Sequence, residues 1–398
     1  ATSVSVQTSS TWISGVYVAV LTSANKYQSL VPFWIVEPGR QSDMLYISSL
    51  NTYEAYNDFP HDPPISNPNG NPTTGHSLYD YNSAGNLPAV KVTFDRPFSS
   101  DTGGPGDGGL YDFEPELIAF IERAGYDVTY TNEPEIDADP RTLTMHKVIV
   151  VGGHAEYQTM TNYNALIAAR DLGIGLAFIS GNEIYWQVRY EPNFGVARRV
   201  VVGYKTTAPD PVRNPLLRTI KWRDLGRPEQ KLLGVQLPEN GFMNWGGQPW
   251  LPQNSGAWVF AGTGVKAYVP VNAEISGYEI DSYDASVGKP DGNYYTLLSA
   301  SPFINFLGQK YTQNSSIYRS YAGNWVWASG SMDWSWGLSP GGSSNGGNNV
   351  RQCLQIMTRN ILDRMIVDSA PNRRAMKTVD MTKAFGPVTS TAGVPPTC

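Results

Sequence analysis

The sequence predicts an α/β protein built on a doubly wound parallel sheet with helices on both faces, a short β-sandwich-like segment before it and a β-rich aromatic section after it. Three observations carry this. The runs Met44–Ile47, Val148–Val151 and Gly175–Ile179 are almost wholly apolar, as strands buried on both faces are. Helical spacing separates them, with Leu117, Phe120 and Ile121 on one face of the stretch Asp112 to Ala124 and a second helix expected over Asn162 to Leu172. Strands that alternate with helices imply parallel pairing through crossovers.

The elements follow in order. Residues 1–38 form the sandwich-like segment, with strands in Gly15–Leu21 and Leu30–Val36 joined by a polar Ser-Ala-Asn-Lys turn, and residues 39–398 form the α/β domain. A Pro/Asn/Gly loop runs from Phe59 to His76. Pro115 suits the first turn of the helix that Gly125 ends, and a strand is expected over Asp127 to Tyr130. Beyond Val202 the signals turn β-rich and aromatic, with Trp222, Trp245, Trp250, Trp258 and the run Val326–Trp336. Gly341–Gly347 reads as a flexible loop, the stretch Asn348 to Ile366 as the closing helix, and no solenoid-type repeat is present.

Composition narrows the function. Only 16% of the 398 residues are charged, whereas Gly (39), Pro (29), Tyr (23) and Trp (11) are plentiful, a loop-rich surface that suits a secreted protein. A net charge of −6 offers no basic stripe for phosphates, so nucleic acid is excluded as a partner, and no run of 18 apolar residues is present to span a membrane. The partner expected is a small-molecule or polymeric substrate; a homo-oligomer stays open. The first residue is Ala1, as in a processed extracellular chain. Cys353 and Cys398 are the only cysteines, and a disulfide is their simplest reading. It would tie a Pro-rich tail to the last helix, contribute roughly 3–4 kcal/mol and imply an oxidising compartment. Asn314-Ser315-Ser316 is the one glycosylation-type triplet.

The most informative stretch is Val148 to Tyr157, where an apolar run ends in Gly152-Gly153 and then presents His154 and Glu156. In open α/β sheets ligands bind just past the carboxyl ends of strands, which is where these two residues stand. The alternative is that Glu156 caps the next helix while His154 fills a turn. No predicted strand leads into a G-x-S-x-G elbow, and H-E-x-x-H and P-loop motifs are missing. Where amidotransferase-like α/β folds carry a nucleophilic Cys or Ser, this chain has Gly153-His154, so covalent catalysis from that turn is not expected. The H-x-E of zinc deaminases requires a P-C-x-x-C partner, which is also missing.

Seven blocks together carry a family resemblance: Asn51–Asn57, Ser77–Asp80, Asp95–Pro97, Ile121–Val128, Gly153–Tyr157, Asn182–Trp186 and Asp333–Leu338. In order and identity they resemble the carboxyl-terminal catalytic region of the N,N-dimethylformamidase large (beta) subunit family, from about Trp12 to Arg364. The resemblance implies an amidotransferase-like sheet and one mononuclear ferric iron (Fe3+) per chain, held by Tyr56, Tyr79 and Glu156. Phenolate and carboxylate oxygens suit a hard cation. It further implies His154 beside the metal, Asn182 holding a substrate carbonyl or amide, Lys205 as an active-site cation and Glu279 as general base. The bland readings are aromatic packing for the tyrosines, a turn for Asn182, a solvated Lys205 and a strand-end carboxylate at Glu279. The sequence departs from the family pattern at Ala155, at Gln158 and in the long Phe59–His76 loop, all bordering the site. The function expected is a secreted, iron-dependent hydrolase of an amide or related C–N bond. Alternatives are a secreted carbohydrate-active enzyme, with tryptophans lining a sugar cleft, or a non-catalytic extracellular binding or structural protein.

Overall fold

A computed structural model describes residues 5–26, 28–60, 74–99, 108–340, 349–371 and 398. The chain opens with β1 (Gly15–Thr22) and β2 (Gln28–Ile35), then β3 (Met44–Ser48), α1 (Leu50–Tyr56) and β4 (Lys91–Thr93). Next come α2 (Gly108–Phe113), α3 (Pro115–Arg123), β5 (Val128–Asn132), α4 (Glu133–Ala138), β6 (Val148–Val151) and β7 (Tyr157–Thr159). They are followed by α5 (Met160–Asp171), β8 (Gly175–Phe178), β9 (Trp186–Asn193), β10 (Val196–Val202) and α6 (Gln230–Leu233). The second half supplies β11 (Phe242–Trp250), β12 (Val271–Glu279), β13 (Tyr294–Leu297), β14 (Ser301–Ile304), β15 (Lys310–Gln313), β16 (Ser316–Arg319), β17 (Trp325–Ala328) and α7 (Gln352–Asp368).

Seven strands form the main sheet in the order β13-β16-β17-β8-β6-β3-β5. Its five strands from β17 to β5 run parallel, while β13 and β16 add an antiparallel edge. Because side chains alternate along a strand, β6 feeds two cores. Val148 and Val150 pack with Met44 and Tyr46 against α3 and against Leu354, Met357 and Ile361 of α7. Ile149 and Val151 pack with Leu45, Ile47, Leu176 and Phe178 against Tyr163, Leu166 and Ala169 of α5. A second, four-stranded sheet of order β4-β10-β9-β7 stands beside the carboxyl end of β6.

Several boundaries differ from those read in the sequence. The amino-terminal segment, expected as sandwich-like, is a hairpin of β1 and β2 that pairs with no other strand among the described residues. It is fastened to the main sheet by Trp34 Nε1, which donates to Ser48 Oγ at 2.8 Å, and by Ser14 Oγ, which accepts from the Tyr130 amide at 2.8 Å. The helix expected over Asp112 to Ala124 is divided into α2 and α3 at Glu114. Pro115 has no N–H to continue the helical ladder, and at this break the Glu114 side chain accepts from Ser48 Oγ (2.7 Å), the Ser49 amide (3.1 Å) and the Tyr53 hydroxyl. Helix α7 starts at Gln352, after an extended Arg351 (φ −133°, ψ 130°). The Gly341–Gly347 loop, Asn348, most of the Phe59–His76 loop and the Pro-rich tail before Cys398 lie outside the described residues.

The expected disulfide is present: Cys353 and Cys398 are bonded, with their Cα atoms 5.7 Å apart. Asn314 is buried and donates to the Ser299 carbonyl at 2.8 Å, so its triplet offers no accessible acceptor for a glycan. Among the described residues no helix is long and apolar enough to cross a membrane.

Candidate functional site

The site is assembled at the carboxyl end of β6. There the chain turns through Gly152 and Gly153, and neither position tolerates a side chain. A Cβ on Gly152 would lie 2.1 Å from the Tyr46 hydroxyl, and one on Gly153, whose φ is +76°, would lie 2.4 Å from the Tyr53 hydroxyl. Two hydroxyls then hold the next backbone: Ser49 Oγ accepts from the His154 amide at 3.0 Å and Thr52 Oγ1 from the Glu156 amide at 3.2 Å. The cap of α5 is Thr159, whose hydroxyl accepts from the Asn162 amide at 3.2 Å, so Glu156 is not a helix cap.

Three elements distant in sequence meet at Glu156. The Tyr56 hydroxyl, at the end of α1, donates to Glu156 Oε2 at 3.2 Å, and the Tyr79 hydroxyl lies 3.0 Å from both carboxylate oxygens. The two rings stack with centroids 4.3 Å apart. Behind Tyr79, Lys205 places its ammonium 3.2 Å from the Tyr79 ring centroid and donates to the Tyr157 hydroxyl at 3.0 Å, while that hydroxyl donates to Tyr79 at 2.5 Å. Lys205 is therefore an interior cation held by an aromatic face, not a solvated one.

On the adjoining wall His154 Nε2 lies 3.2 Å from Glu279 Oε2 and 3.5 Å from Glu156 Oε2, and its Nδ1 lies 3.1 Å from the Gly181 carbonyl. Glu279 ends β12 and accepts from Asn182 Nδ2 at 2.9 Å. Asn182 has a φ of +55° and is secured by its own amide, which donates to Asp281 at 3.0 Å. Ile184 (φ +59°) and Lys205 (φ +53°) are also left-handed. Such a conformation is costly for a β-branched residue, and strain of this kind gathers at functional sites.

Electrostatics separates the two glutamates. Burial raises Glu156, but His154, Lys205 and the Tyr79 hydroxyl outweigh it and hold the carboxyl below its usual range. Burial and the neighbouring Glu156 push Glu279 up to about 7 against the opposing pull of His154. Burial alone would lower His154, yet Glu279 and Glu156 prevail and hold it at about 9. Burial brings Lys205 down to about 8 against the attraction of Glu156 and Asp80. Burial first, then Glu156, raises both Tyr56 and Tyr79 well above the ordinary phenol value.

All seven residues singled out in the sequence come together here, as Tyr56, Tyr79 and Glu156 in one group, His154, Asn182 and Glu279 in the next, and Lys205 behind Tyr79. Two further residues take part that carry no signal of their own in the sequence: Tyr157, within the Gly153–Tyr157 block, and Asp281, which sets the Asn182 backbone. No cluster of three or more His, Cys, Asp or Glu side chains among the described residues is arranged to hold a metal ion. The candidate donors are two phenols and one carboxylate. Of the tryptophans that a sugar cleft would call on, Trp222, Trp250, Trp327, Trp334 and Trp336 are buried core residues and Trp258 is half-buried. Their large apolar area favours the interior.

An α/β sheet carrying, at a strand end, a buried carboxylate met by two half-buried tyrosine hydroxyls defines the class. The sequence model of the N,N-dimethylformamidase beta subunit-like, C-terminal family matches residues 1–349, and the chain belongs to that family. An N,N-dimethylformamidase beta subunit from Alcaligenes sp is 25% identical over 305 residues, which cover 67% of this chain and 39% of the relative. A protein of the same name from Paracoccus aminophilus is 25% identical over 300 residues, covering 66% and 38%. The chain thus matches about two fifths of the length of these relatives.

Proposed function

We propose that this chain is a secreted hydrolase of an amide or related C–N bond, with one ferric iron held by Tyr56, Tyr79 and Glu156. The observation that carries the reading is the convergence of two phenol hydroxyls on one buried carboxylate, within 3.0–3.2 Å, beside a carboxyl pushed up to about 7. The relatives' name denotes an enzyme acting on an amide. The donor set fits the ion: anionic oxygens suit a hard cation, and a cation would replace the two phenol protons that Glu156 now accepts. Bound there, iron would polarise an amide carbonyl and make a water more acidic.

The chain's own groups account for the proton transfers. A carboxylate titrating near 7 accepts and returns a proton efficiently at neutral pH, so Glu279 takes the proton of the attacking water and returns it to the leaving nitrogen. His154 and Asn182 grip Glu279 Oε2 from 3.2 and 2.9 Å and fix its direction. One N–H of the Asn182 amide donates to Glu279, and its Oδ1, which has no hydrogen-bond partner among the described residues, is available to accept an N–H from a substrate that carries one. The Cys353–Cys398 bond supports an oxidising, extracellular location. Metal analysis of the purified protein, with assay of amine or ammonia release from amides, tests the reading. Iron near one per chain with amide turnover supports it; an iron-loaded protein that cleaves no amide points to a non-catalytic member.

A further inference from the structure

We infer that the amide cleaved here is neutral and carries a large apolar substituent, aromatic or long-chain; this rests on the hydrolase reading above. Among the described residues the site opens into a cavity of about 680 Å3. Cavities of roughly 300–1,000 Å3 take drug-sized ligands. A five-heavy-atom amide such as N,N-dimethylformamide, at roughly 30 Å3 per heavy atom, fills about a quarter of it or less.

The wall beyond the catalytic groups is apolar, formed by Phe113, Leu237, Phe242, Met243, Tyr278 and Met332. It is preformed. Phe113 stacks between Tyr278 and Trp336 with centroids 6.2 and 6.0 Å away, and Phe242 rests on Phe306 at 5.0 Å. Charge decides the rest. Asp112, Glu156, Glu239 and Glu279 line the cavity against two cations, His154, which Glu279 and Glu156 keep charged, and Lys221, whose ammonium lies over the Tyr185 and Trp186 rings at 5.1 and 5.8 Å. Like charge repels an anionic substituent, and an apolar wall rewards an uncharged one.

The test is a series of primary amides, from formamide through butanamide and hexanamide to octanamide, with phenylacetamide and a carboxylate-ended octanamide, assayed on the iron-loaded protein. Each methylene taken from water into the wall raises kcat/KM about fourfold, so hexanamide exceeds butanamide by about sixteenfold. Phenylacetamide is cleaved well, the carboxylate-ended amide is cleaved more slowly than octanamide, and Phe242→Ala flattens the chain-length dependence. A flat or falling series with measurable formamide turnover overturns this inference and leaves the hydrolase reading standing. Failure to cleave any member overturns both.

Discussion

The Tyr79 hydroxyl lies 3.0 Å from each oxygen of the Glu156 carboxylate, although 77 residues separate the two in sequence. Neither group can leave this arrangement cheaply, because Glu156 is buried, Tyr79 is half-buried and each is the other's polar partner. Tyr79→Phe removes one oxygen donor while keeping the ring that stacks on Tyr56 and carries the Lys205 ammonium. The expected result is a folded protein that loses the visible absorption of ferric phenolate. Iron affinity should fall by more than the ~10–100-fold typical of a lost outer hydrogen-bond partner. Circular dichroism, iron content and absorbance check this together. A variant that keeps colour, iron and full activity removes Tyr79 from the metal.

Glu279 touches His154 and Asn182 but is not one of the three donors at the proposed ion. Glu279→Gln keeps the size and an acceptor for Asn182 while removing the group that takes a proton. Turnover of an amide should fall by about 10²–10⁴-fold with iron content unchanged. Unaltered kcat would move the base elsewhere. Loss of iron would make Glu279 part of the metal's support.

The Cys353–Cys398 bond closes a 45-residue separation and fastens the last residue to a fully buried position on α7. A loop of that length stabilises by up to about 4 kcal/mol through the unfolded state. Cys398→Ser should lower the guanidinium midpoint by a matching amount, and dithiothreitol should then have no further effect. The unreduced wild-type mass should be short of two hydrogens. Two free thiols in the purified protein contradict the bond.

What the sequence revealed follows from how local each signal is. Val148–Val151 lies within the expected run, and Met44–Ser48 and Gly175–Phe178 are within a residue of it, because strands buried on both faces need no partner to be recognisable. Strands β7 and β9 carry no such local signal: Tyr157-Gln158-Thr159 is short, and Trp186–Asn193 gains its meaning from pairing with β7 and β10. His154 and Glu156 were legible as a strand-end pair. Tyr56 and Tyr79 were not, since nothing in their spacing distinguishes them from packing aromatics and their meeting at Glu156 spans 100 and 77 residues. Only family resemblance pointed to them. The tryptophans are ambiguous for a related reason: a Trp-rich stretch looks the same whether its rings face a cleft or the core.

Buried carboxylates away from the metal donors set the pH dependence of stability. Burial pushes Glu114 up to about 7 despite hydrogen bonds from Tyr53, Ser48 and Ser49, and pushes Glu133 up to about 8 and Asp281 up to about 7. Each folded value is above the unfolded one, near ~4, so between these limits the native chain holds protons that the unfolded chain has released. Stability therefore falls as pH rises through the window from about 4 to about 7–8. Asp210 acts oppositely, since Arg189 and Thr219 overcome its burial and hold it low, but its contribution is lost only below the ordinary carboxylate range. Thermal unfolding should accordingly show a higher Tm at pH 5.5 than at pH 8, a preference that Glu133→Gln reduces because glutamine cannot ionise. A Tm that climbs steadily from pH 5.5 to pH 8 would mean that these carboxylates are ionised in the native protein, and the proton inventory derived from their burial would have to be abandoned.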